Sequence, residues 1–564
     1  MTGKSSQHRG ESLTVHAYKG DGCVLLAFDL DEKETALLAG FAVQRTDPKG
    51  HSSYLYNRLG FDTQYTDQST AADRKWTPSN EAPFQKFRWV DFPGTVLDGE
   101  YRYDVTAIYF TSADDATLTE GAQATVKIDL NAQSYANFQF GYTRGYLSSQ
   151  AYAEQFKNAP IRPGGAKTID FDTAKFEKQY EWLGFHARKL LFALLEEIKG
   201  KDEITVDLFA YDLDEPDFIR AMTGLGPRLR AYLDNASLHT KPGAAEIDAL
   251  AALTESAGQD NVKTGHFKRF AHDKVLILKK HGKPYKVLTG SANFSVRGLY
   301  VQANNVLVIN DPGTAALYEE AFEQSFNDAS GFAHSEIAEG WHEVSGKGIP
   351  DFAVAFSPHT TAEVSLQRVA DAIDKASSSV LFAIMELSGG GPVLDDVRNL
   401  ASRPKIFGYG VTQRLTGLSL YKPGAANGVV VPFAFLKDQV PQPFQEEWSG
   451  GAGQVIHDKF IVVDFNGADP AVFTGSSNLA GGGEVSNGDN LLMITDPGIV
   501  TAFAVEAVRL VDHYHFRAAM QEATDVKPLT LQGPVAQGAW WEDYYDSKHV
   551  KFRERLLFAG GAAK

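Results

Sequence analysis

At 564 residues the chain is too long for one hydrophobic core, and its length corresponds to roughly three to four domains. A net charge of −17 excludes a protein that coats nucleic acid or acidic lipid with its whole surface, and 43% hydrophobic with 22% charged residues is an ordinary globular balance. Cys23 is the single cysteine, which excludes an intramolecular disulfide and any cysteine-rich zinc centre. The polar start MTGKSSQHRG has no apolar run behind it, so no secretory signal is expected. No apolar stretch reaches the length needed to cross a bilayer. The expected location is therefore the cytoplasm.

Residues 1–133 read as an all-β module. VHAYKG, CVLLAFDL, GFAVQRTD, FQKFRWVDF, YRYDVTAIYF and ATVKIDL are short, often alternating segments parted by Gly, Asp and Pro turns. Their order, with Tyr101 and Tyr103 near an expected sheet corner, resembles a fibronectin type III-like sandwich. A spacer or docking role without chemistry is expected of it.

From residue 134 the pattern changes to strands alternating with helices. A helical period in AKFEKQYEWLGFHARKLLFALLEEIKG precedes the buried strand EITVDLFAY. The same order returns as AEVSLQRVADAIDKASS and SVLFAIMEL, and a further helix ends each half, AALYEEAFEQSFND and IVTAFAVEAVRLVDHYH. This pattern predicts α/β lobes at 134–345 and 346–525, each a mostly parallel sheet flanked by helices, related by a pseudo-two-fold axis. The tail 526–564, with Trp540, Trp541, Tyr544 and Tyr545, is too aromatic for a linker and is expected to pack back on the lobes.

Within the halves one cassette occurs twice. His272-Asp273-Lys274, Gly290-Ser291-Ala292-Asn293, Asn305 and Asp311-Pro312-Gly313 recur 185 positions on as His457-Asp458-Lys459, Gly475-Ser476-Ser477-Asn478, Asn490 and Asp496-Pro497-Gly498. A single His-x-Lys carries little information, but two with one fixed spacing to Gly-Ser-x-Asn mark a duplication. In an extended segment alternate side chains share a face, so His272 stands with Lys274, and His457 with Lys459. Each half-site offers an imidazole, an ammonium and a hydroxyl or amide donor suited to phosphate oxygens. Two facing half-sites suit double displacement at phosphorus: one imidazole attacks, while the other protonates the leaving oxygen and then deprotonates the incoming water or alcohol. The lysines can offset the charge on phosphorus, so no metal and no cofactor is expected. Neither a Gly-x-Ser-x-Gly elbow nor a His-Glu-x-x-His helix is present.

These residues resemble the phospholipase D superfamily, with its His-x-Lys, Asp and Gly-Ser-x-Asn signature. The second copy carries the Asp as Asp464, while Lys279 stands at that place in the first. Asn305 and Asn490 occupy positions where the family often has a glutamate, so a partner for each imidazole must come from elsewhere. FSPH at 356–359 is similar to the opening of the family's second lobe. The resemblance spans residues 134–525. It implies His272 as nucleophile through a phosphohistidine, His457 as acid then base, and Lys274, Lys459, Asn293 and Asn478 on the phosphate. Ser291 and Ser476 would assist, with Asp464 in support.

Eight Lys or Arg and one Asp fall between Lys263 and Lys286, whereas Trp448–Ala471 holds one Lys and three Asp. The run is either a solvated hairpin or a positive field drawing an anion to the site. If these charges lie close, Lys268, Arg269, Lys279 and Lys280 keep His272 neutral, and Asp458 and Asp464 favour a protonated His457. The resemblance implies a phosphodiesterase acting on a phospholipid by hydrolysis or phosphatidyl transfer, with peripheral membrane contact. A nuclease on the same scaffold is the alternative, and a non-catalytic binding protein stands last.

Overall fold

The computed structural model describes residues 6–9, 12–66, 73, 75–131, 135–164, 168–385, 387, 390–403, 405–414, 417–421, 429–432, 456–524 and 526–560. The amino-terminal segment forms two four-stranded antiparallel sheets. One is built on Leu13–Lys19 and Val24–Leu30, the other on Leu38–Thr46, Glu100–Ser112 and Asp115–Asp129. Alternate residues of Glu100–Ser112 point inward, so Tyr101, Tyr103, Val105 and Ala107 meet Leu13, Phe28 and Phe41 in one core. Buried hydroxyls need partners: that of Tyr101 accepts the Leu97 N–H at 2.7 Å, and that of Tyr103 donates to Asp91 at 2.9 Å.

The two following sheets share one strand order. In the first it runs Phe138–Tyr142, Asn305–Ile309, Lys283–Gly290, Val275–Lys280, Ile204–Ala210, Leu229–Asp234, Val262–Gly265. In the second, Phe352–Ser357, Asn487–Ile494, Ala471–Gly475, Phe460–Val463, Ser379–Ile384 and Phe407–Arg414 repeat its first six places. Trp341–Val344, from just ahead of the expected boundary, joins this second sheet beside Phe352–Ser357. The class is α/β as expected, but the sheets are mixed rather than mostly parallel. Parallel pairing joins Ile204–Ala210 to Leu229–Asp234, Leu229–Asp234 to Val262–Gly265, and Ser379–Ile384 to Phe407–Arg414. The cassette strands are antiparallel because hairpins too short for a crossover connect them.

Each cassette ends in a helix, Pro312–Asp328 or Pro497–Glu522, and the repeated Asp-Pro explains itself there. Asp311 and Asp496 are N-caps accepting the N–H of Thr314 at 2.7 Å and Ile499 at 2.9 Å, with proline in the first turn. Both helices lodge between the lobes. Tyr318 packs edge-on against Phe356 of the second lobe, 4.9 Å between centroids. Its counterpart Phe503 packs against Tyr142 of the first lobe and Phe460 of the second, each at 5.3 Å. Both are buried, and truncating either to alanine costs about 3–5 kcal/mol.

The tail departs from expectation. Trp540, Tyr544 and Tyr545 pack on Phe87 of the amino-terminal sandwich rather than on the lobes, with the Trp540 indole N–H on Leu38 O at 2.9 Å. An aromatic with a polar edge settles where both apolar surface and a sheet-end carbonyl are open. The last helix, Val550–Phe558, reaches the second lobe through Phe558 on Phe407 and Phe465. The sandwich is also tied to both lobes: Arg88 pairs with Asp512, and Asp21 pairs with His186. No helix among the described residues is long and apolar enough to cross a membrane.

Candidate active site

The lobes meet where each His-x-Lys segment crosses to the opposite sheet. Phe270–Ala271 pairs in parallel with Asn487 and Gly488, and Ile456 bridges in parallel to Ala303. His272 N–H reaches Gly488 O at 2.8 Å, and His457 N–H reaches Ala303 O at 3.2 Å. Ala271, His272 and Gly488 correspond to Ile456, His457 and Ala303 at the 185-residue offset. The structure thus brings both histidines and both lysines into one interface, and all four are buried.

Alternation turns the middle aspartates away from the histidines and into the other lobe. Asp273 accepts Asn490 Nδ2 at 2.6 Å and lies 3.3 Å from Ser476 Oγ, while Asp458 accepts Asn305 Nδ2 at 2.9 Å and lies 3.4 Å from Ser291 Oγ. Burial, reinforced by Asp489 for Asp273 and by Glu506 for Asp458, pushes each carboxyl up to about 7. Ser291 also donates to Asn304 Oδ1 at 2.9 Å, and Ser476 accepts the Asn490 N–H at 3.0 Å. Both hydroxyls thus bond within their own lobe and lie beside the aspartate that reaches in from the other. The glycines before them cannot be replaced: at Gly290 (φ 138°) and Gly475 (φ 151°) a Cβ would stand 2.5 Å and 2.3 Å from the facing asparagine carbonyls.

The histidines receive unequal partners. His272 Nδ1 meets Asp489 Oδ1 at 2.7 Å, whereas His457 Nδ1 meets Asn304 Oδ1 at 2.8 Å and Ser291 O at 3.1 Å. Asp489 and Asn304 occupy equivalent positions, and each serves the histidine of the opposite lobe. A carboxylate only accepts. The Asn304 amide nitrogen is turned to Gly298 O at 2.8 Å, so its oxygen faces His457. Both Nδ1 atoms must then carry the proton, leaving Nε2 as the basic nitrogen.

Electrostatics follow from burial. His272 is lowered by burial and Lys274, with Asp489 opposing them, while His457 is lowered well below its usual range by burial, Lys459 and Lys274. Burial brings Lys274 down to about 8 against the pull of Asp489, and lowers Lys459 further with Lys274 adding repulsion. Despite burial, His272 and Lys274 hold the Asp489 carboxyl below the carboxylate range. An anion beside the two lysines would relieve this repulsion and favour their charged forms.

The expected charge asymmetry around the histidines is not what the structure contains. Asp458 faces Asn305, and Asp464 accepts the N–H groups of Ser377, Ser378 and Ser379 at 2.7, 2.8 and 2.9 Å, holding the start of a strand. Its supporting role is structural. Lys279 pairs with Asp207 at 2.6 Å, Lys280 with Glu203 at 3.9 Å, and Lys286 with Glu197 at 2.6 Å. Three of the eight basic residues of the run are thus held by carboxylates of other segments instead of facing His272.

Asn293 Nδ2 donates to Asp212 at 2.7 Å, and the carboxamide oxygens of Asn293 and Asn478 are buried without a hydrogen-bond partner among the described residues. Sequence reasoning missed Asp489, Asn304, Asp212 and Tyr211, whose ring stands edge-on to His272 at 4.7 Å. Asp489 and Asn304 lie at the repeat spacing but differ in identity, so a comparison of identical landmarks passes over them. Among the described residues, two groups of three potential metal ligands occur, Asp212–His239–Glu246 and Asp207–Glu319–Glu323. Protein cations already serve both: Lys279 and Arg230 reach the second, and both ring nitrogens of His239 are engaged by carboxylates.

The fold and site define a duplicated α/β protein in which the two His-x-Lys segments meet in one buried interface between the lobes. Residues 201–326, within the first lobe, match the family model described as "Cardiolipin synthase, PLD-like domain". Among solved structures, phosphatidylserine synthase of Haemophilus influenzae is similar at 12% identity and TM-score 0.40 over 65% of this chain and 90% of that one. Polyphosphate kinase of Porphyromonas gingivalis is similar at 10% identity and TM-score 0.38; the match covers 59% of this chain and spans 48% of the kinase. The phospholipase D family member Nuc of Salmonella typhimurium is similar at 23% identity and TM-score 0.21 over 24% of this chain and 86% of its own. No curated protein matches the sequence.

Proposed function

We propose that the chain is a phosphodiesterase of the phospholipase D type that cleaves, or transfers the phosphatidyl group of, a phospholipid through a phosphohistidine on His272. The observation that carries this reading is the unequal support of the two imidazoles: a carboxylate behind His272 at 2.7 Å and a neutral amide behind His457 at 2.8 Å. A carboxylate stabilises the cationic imidazole ring of a histidine bonded to phosphorus, so His272 is the better nucleophile. Its Nε2 attacks phosphorus and the bond to the leaving oxygen breaks. That oxygen takes a proton from His457 Nε2. The bound phosphate supplies the negative charge that lets His457 hold this proton between two lysines. Water or an alcohol then gives its proton to His457, its oxygen bonds phosphorus, and the P–N bond to His272 breaks. Lys274 and Lys459 offset charge on the phosphoryl oxygens, with Asn293 and Asn478 beside them.

The phospholipid assignment is supported by two features. Lys279, Lys280 and Lys286 of the basic run near His272 are paired with Asp207, Glu203 and Glu197, which shortens the positive track open to a polyanion. Leu238 and Ile247, each 39% exposed, lie on neighbouring helices next to Asp212, His239 and Glu246 and offer apolar contact to an acyl chain. The test is incubation of the full chain with vesicles of labelled phosphatidylcholine and, side by side, with labelled single- and double-stranded DNA. Release of labelled head group or phosphatidic acid is expected. Cleavage of DNA alone would overturn the lipid assignment, and inertness of both substrates would overturn the phosphodiesterase reading.

A further inference from the structure

Asp212 follows the strand Ile204–Ala210, and Asp234 ends the adjacent parallel strand Leu229–Asp234, where Ala210 pairs with Leu233. The short helix Ser237–Thr240 drops His239 between them, and His239 is buried. Its Nδ1 lies 2.7 Å from Asp234 Oδ1 and its Nε2 lies 3.0 Å from Asp212 Oδ1. The remaining oxygen of each carboxylate reaches the first half-site. Asp234 Oδ2 accepts the N–H of Ala271, next to His272, at 2.6 Å, and Asp212 Oδ2 accepts Asn293 Nδ2 at 2.7 Å. One imidazole thus stands behind both arms of the half-site. The Tyr211 ring is edge-on to His239 at 4.6 Å and to His272 at 4.7 Å, filling the space between them.

The second lobe has no such device among the described residues. The equivalent of Ala271 is Ile456, and its N–H goes at 3.1 Å to Gln413 Oε1, a neutral amide. Because both partners of His239 are carboxylates, both ring nitrogens must carry protons for the bridge to be complete.

We propose that His239, as a buried imidazolium joining Asp212 to Asp234, is a positioning residue that holds the His272 backbone and the Asn293 carboxamide in register for phosphoryl transfer. The inference rests on the reading of His272 as nucleophile. The charged groups around the relay are Asp212, Asp234 and Glu246 on one side and Lys274 and Arg297 on the other, with Arg269 and Asp489 next to Tyr211. Against burial, the hydrogen bonds to Asp212 and Asp234 push the His239 imidazole up to about 9. Above that pH the ring keeps one N–H, and one carboxylate loses its donor while still facing the other.

The test combines kinetics with an observation that needs no turnover. In the full chain labelled with 15N-histidine, His239 is expected to show two protonated ring nitrogens at pH 8 and to titrate near 9. A neutral ring at pH 8 overturns the proposal. With bis(4-nitrophenyl) phosphate, His239→Gln is expected to lower kcat by about 10- to 100-fold with little change in KM and to remove the alkaline limb near pH 9. A limb unchanged in His239→Gln, with the variant folded, overturns the positioning role and leaves the phosphodiesterase reading intact. If the unmodified chain turns over no diester, that reading falls. The relay is then decided by whether the His272 ring signals shift as His239 loses its proton; an unmoved His272 overturns it.

Discussion

Asp489 and Asn304 occupy the same position in the two halves of the molecule, and each hydrogen-bonds the catalytic-motif histidine of the opposite lobe. They differ by a single atom type, carboxylate oxygen for amide nitrogen. That exchange gives a pseudo-symmetric pair of half-sites two distinct chemical characters. A duplicated motif cannot assign nucleophile and acid by itself; the proposed assignment rests on the crossed partners.

Exchanging the partners should move the roles. Asp489→Asn is expected to lower kcat by about 10- to 100-fold, since His272 keeps its orientation but loses the charge that supports a cationic phosphohistidine. Asn304→Asp should raise the pKa of His457 by about one unit or more and shift the pH optimum upward. Peptide mapping after a rapid acid-free quench of labelled substrate should place the label on His272 in the unmodified chain. Label on His457 would reverse the assignment.

Restoring the aspartate that the first motif lacks should damage the protein. Lys279 lies between Asp207 and Glu319, so Lys279→Asp gathers three carboxylates where a buried ion pair stood. The expected loss is about 3–5 kcal/mol. Thermal unfolding checks it, and a variant as stable as the parent would show that the Asp207 pair contributes nothing.

The His239 relay also links stability to pH. Its folded pKa of about 9 lies above the 6.5 of a free imidazole. The contribution is therefore complete below pH 6.5 and lost as pH rises through 9. The raised value corresponds to about 3 kcal/mol. His239→Gln should lower the melting temperature at pH 6 and converge on the parent by pH 9.5. A deficit of constant size across that range would be inconsistent with a titrating bridge.

Turnover should survive a chelator. In the proposed mechanism Lys274 and Lys459 supply the positive charge at the phosphate, and protein groups already engage both clusters of potential ligands. Activity in EDTA is expected to stay within about two-fold of the untreated protein. Complete loss, recovered by a divalent ion, would count against the mechanism.

The sequence by itself determined the duplication, the alternation of helix and strand, and the pairing of His with Lys on one face. All three are local or periodic properties, carried by identical residues at a constant spacing. The capping by Asp311 and Asp496 is likewise local, acting three residues along the chain. Tertiary structure alone decided what faces each histidine. His272 and Asp489 are 217 residues apart, and their meeting depends on the crossing of Phe270–Ala271 onto Asn487 and Gly488. Charge counted along the chain misled for the same reason. Lys279 stands near His272 in sequence, yet its ammonium spends its charge on Asp207, on a different strand. Electrostatic effect follows distance through a low-dielectric interior, and which groups share that interior is settled when the lobes close on each other.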